Sequence, residues 1–387
     1  MHCRRDADMP RDILIAVAWL LCAASAAGSL YLLCAGFATR RFAARAQQPA
    51  AASLPVSILK PLCGEDAGLY DNLDSFCRQE YPTWQVVFGV QDALDAAIPV
   101  VRRLMAAYPA ADMALVVEPA RHGGNLKVAN LQNMLPAVRH DVIVIADSDM
   151  RVRPDYLAEV TAPLADPATG LVTCLYRGVS AGGFWSQLAC LNINHGFLPQ
   201  ALVAAALGER NGCFGATIAL RRATLEAAGG LAAVADSLAD DHALGAAVRR
   251  LGRKVVLSPH VVDNVVAEPS LAALFRHELR WSRTIRAIAP AGYVGSVLTQ
   301  PVVLALAALA LGVIPLPAAA MLALALGCRA VMVRMVDRAL RLPATPLWLM
   351  PVRDSLSFVV FVASFFSRTV AWRDRMFRIG PDGQLIP

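Results

Sequence analysis

The stretch HDVIVIADSDMRVRPDY (residues 140–156) decides how the rest of the chain is interpreted. Residues 142–146 form a short run of apolar, mostly β-branched side chains. Such a run is typical of a strand that is buried on both faces of a parallel sheet. It ends abruptly in Asp147-Ser148-Asp149. Two carboxylates at the end of a buried strand are unfavourable unless something positive lies between them.

A divalent cation is the natural partner for these two carboxylates. Hard cations take carboxylate ligands and share the phosphate oxygens of a substrate. In open α/β sheets, ligands also bind at the carboxyl ends of the strands. We therefore expect Asp147 and Asp149 to form a metal and phosphate site. The alternative is a solvated turn that happens to hold two aspartates, because Asp-x-Asp is a common pattern.

The composition indicates a membrane protein with a globular part. Of the 387 residues, 57% are hydrophobic, and the mean hydropathy is +0.48. An ordinary soluble domain is less apolar, at about 45–50%. The net charge of +6 suits anionic lipids or nucleotide phosphates. We expect no nucleic-acid partner, because basic and aromatic residues are not interleaved and no zinc-site spacing occurs. The nine cysteines are scattered without a C-x-x-C, which favours a reducing compartment.

An N-terminal membrane span is predicted over residues 13–38, which carry no charge and are followed by Arg40, Arg41 and Arg45. About 20 apolar residues cross a bilayer, and a signal peptide, the alternative, has a shorter apolar core. The basic residues on the two flanks nearly balance, so the positive-inside rule alone does not orient the span. We place its C-terminal flank in the cytoplasm, because the next domain has the pattern of a nucleotide-binding protein.

Residues 55–288 alternate strand and helix patterns, which predicts a mostly parallel, doubly wound, Rossmann-like α/β sheet. Strands are expected at 55–61, 84–90, 113–117, 142–146, 170–175, 216–220 and 254–257. Helices are expected at 69–79, 100–108, 125–138, 184–207, 237–251 and 270–288, the last with Ser270 as its N-cap.

The C-terminal region has three further apolar stretches, at 294–314, 318–333 and 347–366. Arg329 and the pair Arg353-Asp354 interrupt them, and such charges at bilayer depth have to be paired inside the protein. If all three stretches crossed, the basic tail would lie outside the cell, against the positive-inside rule. We therefore expect one stretch to be re-entrant or interfacial. The predicted division is 1–46 membrane anchor, 53–290 catalytic domain and 291–387 membrane region with two to three segments.

Three more features lie at predicted strand ends or helix starts. Asp92 follows the second strand, where it suits a ribose or uracil, or simply begins a helix. Gly123-Gly124-Asn125-Leu126-Lys127 opens a helix, where a pyrophosphate or a plain turn would fit. Asp240-Asp241 begins another helix, where capping explains one acid and a general base would explain the second.

A final feature is basic. Arg276, Arg280 and Arg283 recur at helical spacing, with Trp281 beside them. This pattern is typical of a cationic stripe at a membrane surface. Alternatively, Arg280 and Trp281 point into an active site, where the guanidinium would hold a leaving-group phosphate.

Taken in this order, the motifs resemble those of family-2-type inverting glycosyltransferases with the GT-A fold. The chain is most similar to the ceramide glucosyltransferase branch (family 21) and its bacterial relatives from hopanoid biosynthesis. The resemblance rests on VQDALD with Asp92, NLKVANL with Lys127, the DSD at 147–149, LADDHAL with Asp241, and HELRW at 277–281. It departs from the family pattern at His277, where Gln or Arg is usual, and at Asp240, where Glu is usual.

The resemblance implies a mechanism. A UDP-sugar would be bound by Asp92 at the uridine and by Lys127, Asp147 and Ser148. Asp147 and Asp149 would hold Mg²⁺ or Mn²⁺; Asp149 is carried over from the wider GT-A group, because the ceramide branch often lacks it. Asp241 would take the proton of the attacking hydroxyl, so the anomeric centre inverts. Arg280 would steady the departing UDP beside Trp281.

The membrane spans suggest a lipid alcohol as acceptor and the bacterial inner membrane, with the catalytic domain facing the cytoplasm, as location. The segments GLVTCLYRG (170–178) and PVRDSLSF (351–358) resemble hopanoid-biosynthesis transferases, which implies transfer of N-acetylglucosamine to bacteriohopanetetrol. Transfer of glucose to ceramide is the alternative. Two other classes stay open: a processive polysaccharide synthase, which would need more spans and a polar path, and a non-catalytic membrane anchor.

Overall fold

The computed structural model describes residues 5–45, 54–208, 212–367, 369–372, 375–380 and 384–386. The chain divides into two compact units. The helical unit comprises Met1–Ala44, Asn194–Ala206 and Phe275–Arg368. The sheet unit comprises Arg45–Ile193, Leu207–Leu274 and Thr369–Pro387.

Helices and strands alternate one for one up to residue 145. In chain order they are α1 (Arg5–Ala43), β1 (Val56–Pro61), α2 (Leu69–Cys77), β2 (Trp84–Val90), α3 (Ala97–Ala107), β3 (Asp112–Val117), α4 (Leu126–Met134), β4 (Val142–Ile145), β5 (Met150–Arg151), α5 (Tyr156–Thr161), β6 (Thr169–Thr173), β7 (Tyr176–Ser180), α6 (Phe184–Asn192), α7 (Leu198–Ala206), β8 (Ile218–Arg221), α8 (Arg222–Ala227), α9 (Asp240–Arg250), β9 (Lys254–Leu257), β10 (Val262–Val266), α10 (Leu271–Ile288), α11 (Pro290–Gly295), α12 (Pro301–Ala310), α13 (Pro315–Ala339), α14 (Leu349–Ala363), β11 (Thr369–Trp372), β12 (Arg375–Ile379) and β13 (Leu385–Ile386).

The main sheet of the sheet unit has the strand order β3-β2-β1-β4-β8-β6-β9. The pairs β2–β3, β1–β2, β1–β4 and β6–β9 are parallel, whereas β8 runs antiparallel to both β4 and β6. The prediction of a mostly parallel α/β sheet is confirmed. Two three-stranded sheets, β5-β10-β7 and β11-β12-β13, complete the unit.

Strand β4 is buried on both faces, as its run of apolar residues predicts. Val142 and Val144 pack into the core on one side of the sheet. Ile143 and Ile145 pack into a second core on the other side. With side chains of both faces buried, β4 has a fixed register, and its end places Asp147 at the carboxyl edge of the sheet.

Some elements differ from the predictions. The single helix expected at 184–207 is divided by a π-helical turn at Ile193–Phe197 into α6 and α7. Strands β5, β7 and β10 were not predicted; β5 has only two residues, too few to display a period. The predicted cap of α10 is present, since Ser270 Oγ accepts a hydrogen bond from the backbone N–H of Ala273 at 3.2 Å.

In the helical unit, α1 and α13 run parallel to each other. Near one end, Cys22 of α1 clusters with Ala318 of α13. Near the other end, Gly36 brings α1 close to Met335, whose Sδ would lie 3.0 Å from a methyl group at Gly36. The basic end of α1, with Arg40 and Arg41 in its last turn, therefore lies at the same level as the end of α13.

Three helical segments of the described chain are long and apolar enough to cross a membrane: Pro10–Ala43, Pro315–Ala339 and Leu349–Phe366. The stretch predicted to span at 294–314 forms a bent pair of helical segments, Pro290–Thr299 and Pro301–Ala310, whose axes meet at 67°. Pro301 explains the break, because proline removes a backbone donor and clashes with the preceding turn.

The charges within the apolar C-terminal stretches are paired, as the sequence requires, but Arg353 and Asp354 do not pair with each other. Arg353 donates to both carboxylate oxygens of Glu278 at 2.8 and 2.7 Å. Asp354 accepts from Arg329 at 2.6 and 3.1 Å. Adjacent residues of a helix point in different directions, so each needs its own partner.

Candidate functional site

The site is built at the carboxyl edge of the main sheet. Strands β1, β2 and β4 are parallel neighbours, so all three end at this edge. Asp147 follows β4, and Asp92 follows β2 two strands away, roughly 10 Å by the usual spacing of strands. Asp92 is exposed, and its Oδ1 accepts a hydrogen bond from Leu94 N at 2.9 Å. Its place at the edge agrees with the prediction, while its present hydrogen bond is that of a turn.

Lys127 lies between two of the predicted acids. Its Nζ is 2.6 Å from Asp147 Oδ1 and 3.4 Å from Asp240 Oδ2. Burial opposes the charge of this lysine, but attraction to Asp147, Asp240 and Asp241 outweighs burial and raises the pKa of Lys127. The ammonium is therefore a permanent positive charge beside the acids.

The backbone of Gly215 lies next to both Asp147 and Asp241. Its backbone N–H donates to Asp241 Oδ2 at 2.8 Å. A methyl group built on Gly215 would lie 3.2 Å from Asp147 Oδ2, 3.4 Å from Lys127 Nζ and 3.5 Å from Asp241 Oδ2. Asp147, Lys127 and Asp241, which are far apart in the chain, thus surround one small space.

The carboxyl group of Asp241 has the properties of a base for a hydroxyl group. Burial, reinforced by the negative charge of Asp240, raises the pKa of Asp241 to about 6. A carboxylate whose pKa is near neutral accepts a proton more readily than a solvated one. Asp240 instead receives a long hydrogen bond from Asn125 Nδ2, at 3.4 Å, besides its contact with Lys127.

The residues fit a hard divalent cation. Burial and the charge of Asp147 raise the pKa of Asp149 to about 6, so a cation between the two would relieve their repulsion. Asn264 Nδ2 donates to Asp149 Oδ2 at 2.8 Å and orients it. Within the described ranges, no group of three His, Cys, Asp or Glu residues is arranged as a metal site. Two carboxylates with the remaining positions left to phosphate and water is the usual way of holding Mg²⁺.

Ser148, predicted to contact the donor, points its hydroxyl toward another acid. Its Oγ donates to Asp66 Oδ2 at 2.9 Å. The proton of this hydroxyl is therefore engaged by the protein, and only its lone pairs are left to meet a ligand.

The glycines before α4 serve a different purpose from the one expected. Gly123 has φ of +119°, and a methyl group there would overlap the backbone of Ala235 at 2.8 Å. Gly124 N donates to Asp236 Oδ1 at 2.7 Å, and Asn125 N donates to Ala235 O at 2.8 Å. These two N–H groups are used to join α4 to the loop before α9. The segment holds Lys127 near Asp240 and is not a free phosphate cradle.

Lys60 was not identified from the sequence. It is fully buried in β1, and its Nζ donates to the backbone carbonyl of Asp147. Burial lowers the pKa of Lys60 to about 7, against the attraction of Asp147 and Asp149. A signal was present: the chain has only three lysines, and one of them interrupts the apolar strand pattern VSILKP.

Arg280 and Trp281 lie on α10 in the part that belongs to the helical unit. Trp281 contacts His277 edge-on, with ring centroids 4.7 Å apart. Glu278, in the same motif, carries the buried ion pair with Arg353. The predicted roles of Arg280 and Trp281 at the leaving group stay predictions.

Comparison with known families and structures extends these observations. The family model described as glycosyl transferase family 21 matches residues 17–385. Ceramide glucosyltransferase 1 of Caenorhabditis elegans is 27% identical over 236 residues, which cover 61% of this chain and 50% of that protein. Ceramide glucosyltransferase 3 of the same organism is 27% identical over 245 residues, covering 62% and 52%. The match thus spans about half the length of these relatives.

Among solved structures, the chain is similar to the mannosyltransferase PcManGT from Pyrobaculum calidifontis, solved in complex with GDP-Man and Mn²⁺. The TM-score is 0.56 with 21% sequence identity, over 91% of this chain and 99% of that chain. At this level of sequence identity, the similarity shows that the two chains share a fold and nothing more. The predicted GT-A fold, with apolar helices in the N-terminal and C-terminal regions, is confirmed.

Proposed function

This chain belongs to glycosyl transferase family 21, and we propose that it transfers a sugar from a UDP-sugar to the hydroxyl group of a membrane lipid with inversion at the anomeric carbon. One observation carries the proposal: Asp147, Lys127 and Asp241 surround the same space beside Gly215. A donor-binding acid and a raised-pKa acid at one place are what a direct displacement by a hydroxyl requires.

The proposed base is Asp241. Its carboxylate takes the proton of the lipid hydroxyl as the oxygen attacks C1 of the sugar, while the bond from C1 to the UDP oxygen breaks. The N–H groups of Gly215 and His242, 2.8 and 2.7 Å from its two oxygens, fix the carboxylate in one orientation. Such positioning removes part of the entropic cost of the reaction.

On the donor side, Asp92 would bind the uridine, Lys127 and Ser148 the diphosphate region, and Arg280, beside Trp281, the departing UDP. Asp147 and Asp149 would hold Mg²⁺ or Mn²⁺, which when bound would neutralise the negative charge of the leaving group. Lys60 would keep the backbone of Asp147 in place through its hydrogen bond to that carbonyl.

Two acceptors are considered. Sequence segments 170–178 and 351–358 favour bacteriohopanetetrol with N-acetylglucosamine as the sugar. The named relatives favour ceramide with glucose. Purified protein incubated with UDP-glucose or UDP-N-acetylglucosamine and each lipid, followed by mass measurement of the product, distinguishes them. A long polymer would select the processive synthase instead. The absence of both a product and metal-dependent UDP binding would select the non-catalytic anchor.

We further propose that the sheet unit faces the cytoplasm of a bacterial inner membrane. The end of α1 leads directly into the sheet unit, and the parallel α13 ends on the same side, followed by α14. Arg334 and Arg338 near that end add to Arg40, Arg41 and Arg45 at the end of α1, and such an excess of basic residues marks the cytoplasmic side by the positive-inside rule. If α14 crossed as well, the basic residues after it in the sequence would lie outside, against the positive-inside rule, so we propose that α14 is the re-entrant or interfacial segment.

This topology predicts the results of reporter fusions. Alkaline phosphatase fused after residue 312, between α12 and α13, is expected to be active, because it would lie in the periplasm. The same enzyme fused after residue 387 is expected to be inactive, whereas green fluorescent protein fused there should fluoresce. An active phosphatase at residue 387 would mean that α14 crosses, and the proposed arrangement would be wrong.

Removal of divalent cations is expected to stop transfer. Chelation with EDTA should abolish product formation, and added Mn²⁺ or Mg²⁺ should restore it. Asp149→Asn should reduce both activity and Mn²⁺ binding at least about tenfold, since it removes one of the two carboxylates. Binding of Mn²⁺ is measured separately by electron paramagnetic resonance. The exposed Asp166→Asn is the control, and full activity of Asp149→Asn would exclude Asp149 as a ligand.

Gly215→Ala is expected to reduce turnover about tenfold or more, because its methyl group would press on the carboxylate of Asp147 at 3.2 Å. The melting temperature should change little, since the side chain of Asp147 is partly exposed and its carboxylate can shift. The control is Gly327→Ala, where a methyl group would meet no other atom within 4 Å. Unchanged turnover in Gly215→Ala would show that the reacting groups do not meet at this position.

A further inference from the structure

A second candidate binding site lies at the C-terminal end of α13, within the helical unit. A cavity of about 380 Å³ is lined there by Arg334, Asp337, Arg338, Arg341, Leu342 and Ala344. The volume is in the range of small-ligand pockets, about 300–1,000 Å³. Three of the six lining residues carry a positive charge, and one carries a negative charge.

The wall of this cavity is held in place by Asp337. His195 Nε2–H donates to its Oδ1 at 2.8 Å, and Thr345 Oγ also donates to Oδ1 at 2.8 Å. Thr345 N and Arg334 donate to its Oδ2 at 3.0 and 3.2 Å. Arg334 in addition donates to the carbonyl of Thr345 at 2.8 Å. Both oxygens of Asp337 are engaged, so it closes the loop after α13 and has little capacity left for the other arginines.

Arg338 and Arg341 are exposed at this cavity, and neither forms a salt bridge with an acid in the described part of the chain. With Arg334, they give the cavity two more positive charges than negative ones. An anion with several oxygen atoms would satisfy these guanidinium groups, which bind phosphate in a bidentate manner.

The backbone at Arg341 is a second, independent observation. Arg341 has φ of +53°, and it is the one non-glycine residue with positive φ among those the structure describes. Helix α13 ends there in a Schellman turn, in which Leu342 N donates to Asp337 O at 2.8 Å. Glycine is favoured at this position, because a side chain makes the left-handed conformation unfavourable. An arginine in its place suggests that the guanidinium is needed at the cavity.

From these observations we propose that the cavity binds the phosphate group of an anionic phospholipid, such as phosphatidylglycerol. Helix α13 has 25 residues and is a candidate membrane span. At 1.5 Å per residue it extends about 37 Å, so its end lies at the level of the lipid headgroups. A phosphodiester at that depth meets three arginines, while its acyl chains remain in the bilayer.

The test uses the full chain in a neutral detergent and counts bound lipid by native mass spectrometry. Wild-type protein is expected to retain one phosphatidylglycerol per chain and to prefer it over phosphatidylcholine. Arg338→Gln/Arg341→Gln should bind phosphatidylglycerol at least about fivefold less. The control, Arg102→Gln/Arg121→Gln, removes the same charge from exposed positions of the sheet unit and should bind as wild type. Equal loss in the control, or equal binding of phosphatidylcholine, would overturn the proposal.

Arg341→Gly separates binding from folding. Because glycine accepts the positive φ, the variant is expected to melt at the same or a higher temperature without lipid, yet to lose phosphatidylglycerol. A variant that retains the lipid would contradict the role of Arg341. Inorganic phosphate is added in parallel: displacement of the lipid by millimolar phosphate would indicate a soluble anion as the occupant, and the lipid proposal would be wrong.

Discussion

Asp241→Asn is expected to reduce turnover at least about a hundredfold while leaving UDP binding nearly intact, which is the usual extent of general-base catalysis. The substitution retains the size of the side chain, and its carbonyl oxygen can still accept the hydrogen bond from Gly215 N. It cannot take up the proton of the attacking hydroxyl. Initial rates at saturating donor, together with calorimetric titration of UDP, measure the two effects separately.

Asp240→Asn is the matched control, because this residue occupies the same turn of α9 and contacts Lys127 rather than Gly215. We expect it to lose activity by less than about tenfold, through a weaker hold on that lysine. A larger loss in Asp240→Asn than in Asp241→Asn would transfer the role of base to Asp240. Near-normal turnover in both variants would exclude the pair.

Arg353→Leu is expected to destabilise the helical unit severely. The side chains of Arg353 and Glu278 are 1% and 7% exposed, and they form two charge-assisted hydrogen bonds. Removing the arginine would leave a buried carboxylate without its partner, which typically costs about 3–5 kcal/mol. The melting temperature in detergent should fall by at least about 6 °C, and the yield of folded protein should fall with it.

The double variant Arg353→Met/Glu278→Met tests the cause of this loss. If the uncompensated charge is responsible, removing both partners should recover most of the stability, as replacement of buried ion pairs often does. Activity need not recover, because Glu278 stands two residues before Arg280 in the same motif. Arg353→Leu with the stability of wild type would contradict the buried ion pair itself.

The features that could be predicted from the sequence are those with a local period or a fixed spacing. The buried strand at 142–146 and the alternation around it are sufficient for a mostly parallel sheet, and that sheet places Asp147 at its carboxyl edge. The cap at Ser270 follows from the chemistry of a single residue. The division into an anchor, a catalytic domain and a C-terminal membrane region remains a prediction.

The features that could not be predicted depend on contacts between distant parts of the chain. Asn264 reaches Asp149 across 115 positions, and Ser148 meets Asp66 across 82. No periodic pattern in the sequence indicates contacts between residues so far apart. Similarly, Arg353 was expected to need a partner, but nothing in the pattern distinguishes Glu278 from its neighbour Asp354.

The packing of α1 has a practical consequence for protein production. Ala18, Cys22 and Leu32 are buried, Ser25 donates to the carbonyl of Pro301 at 2.8 Å, and Gly36 lies against Met335. A truncated form that starts after α1 would therefore expose the apolar surface against which this helix packs, because α1 is a packed part of the helical unit. Such shortened forms should aggregate, and supplying the missing helix as a separate peptide should rescue them.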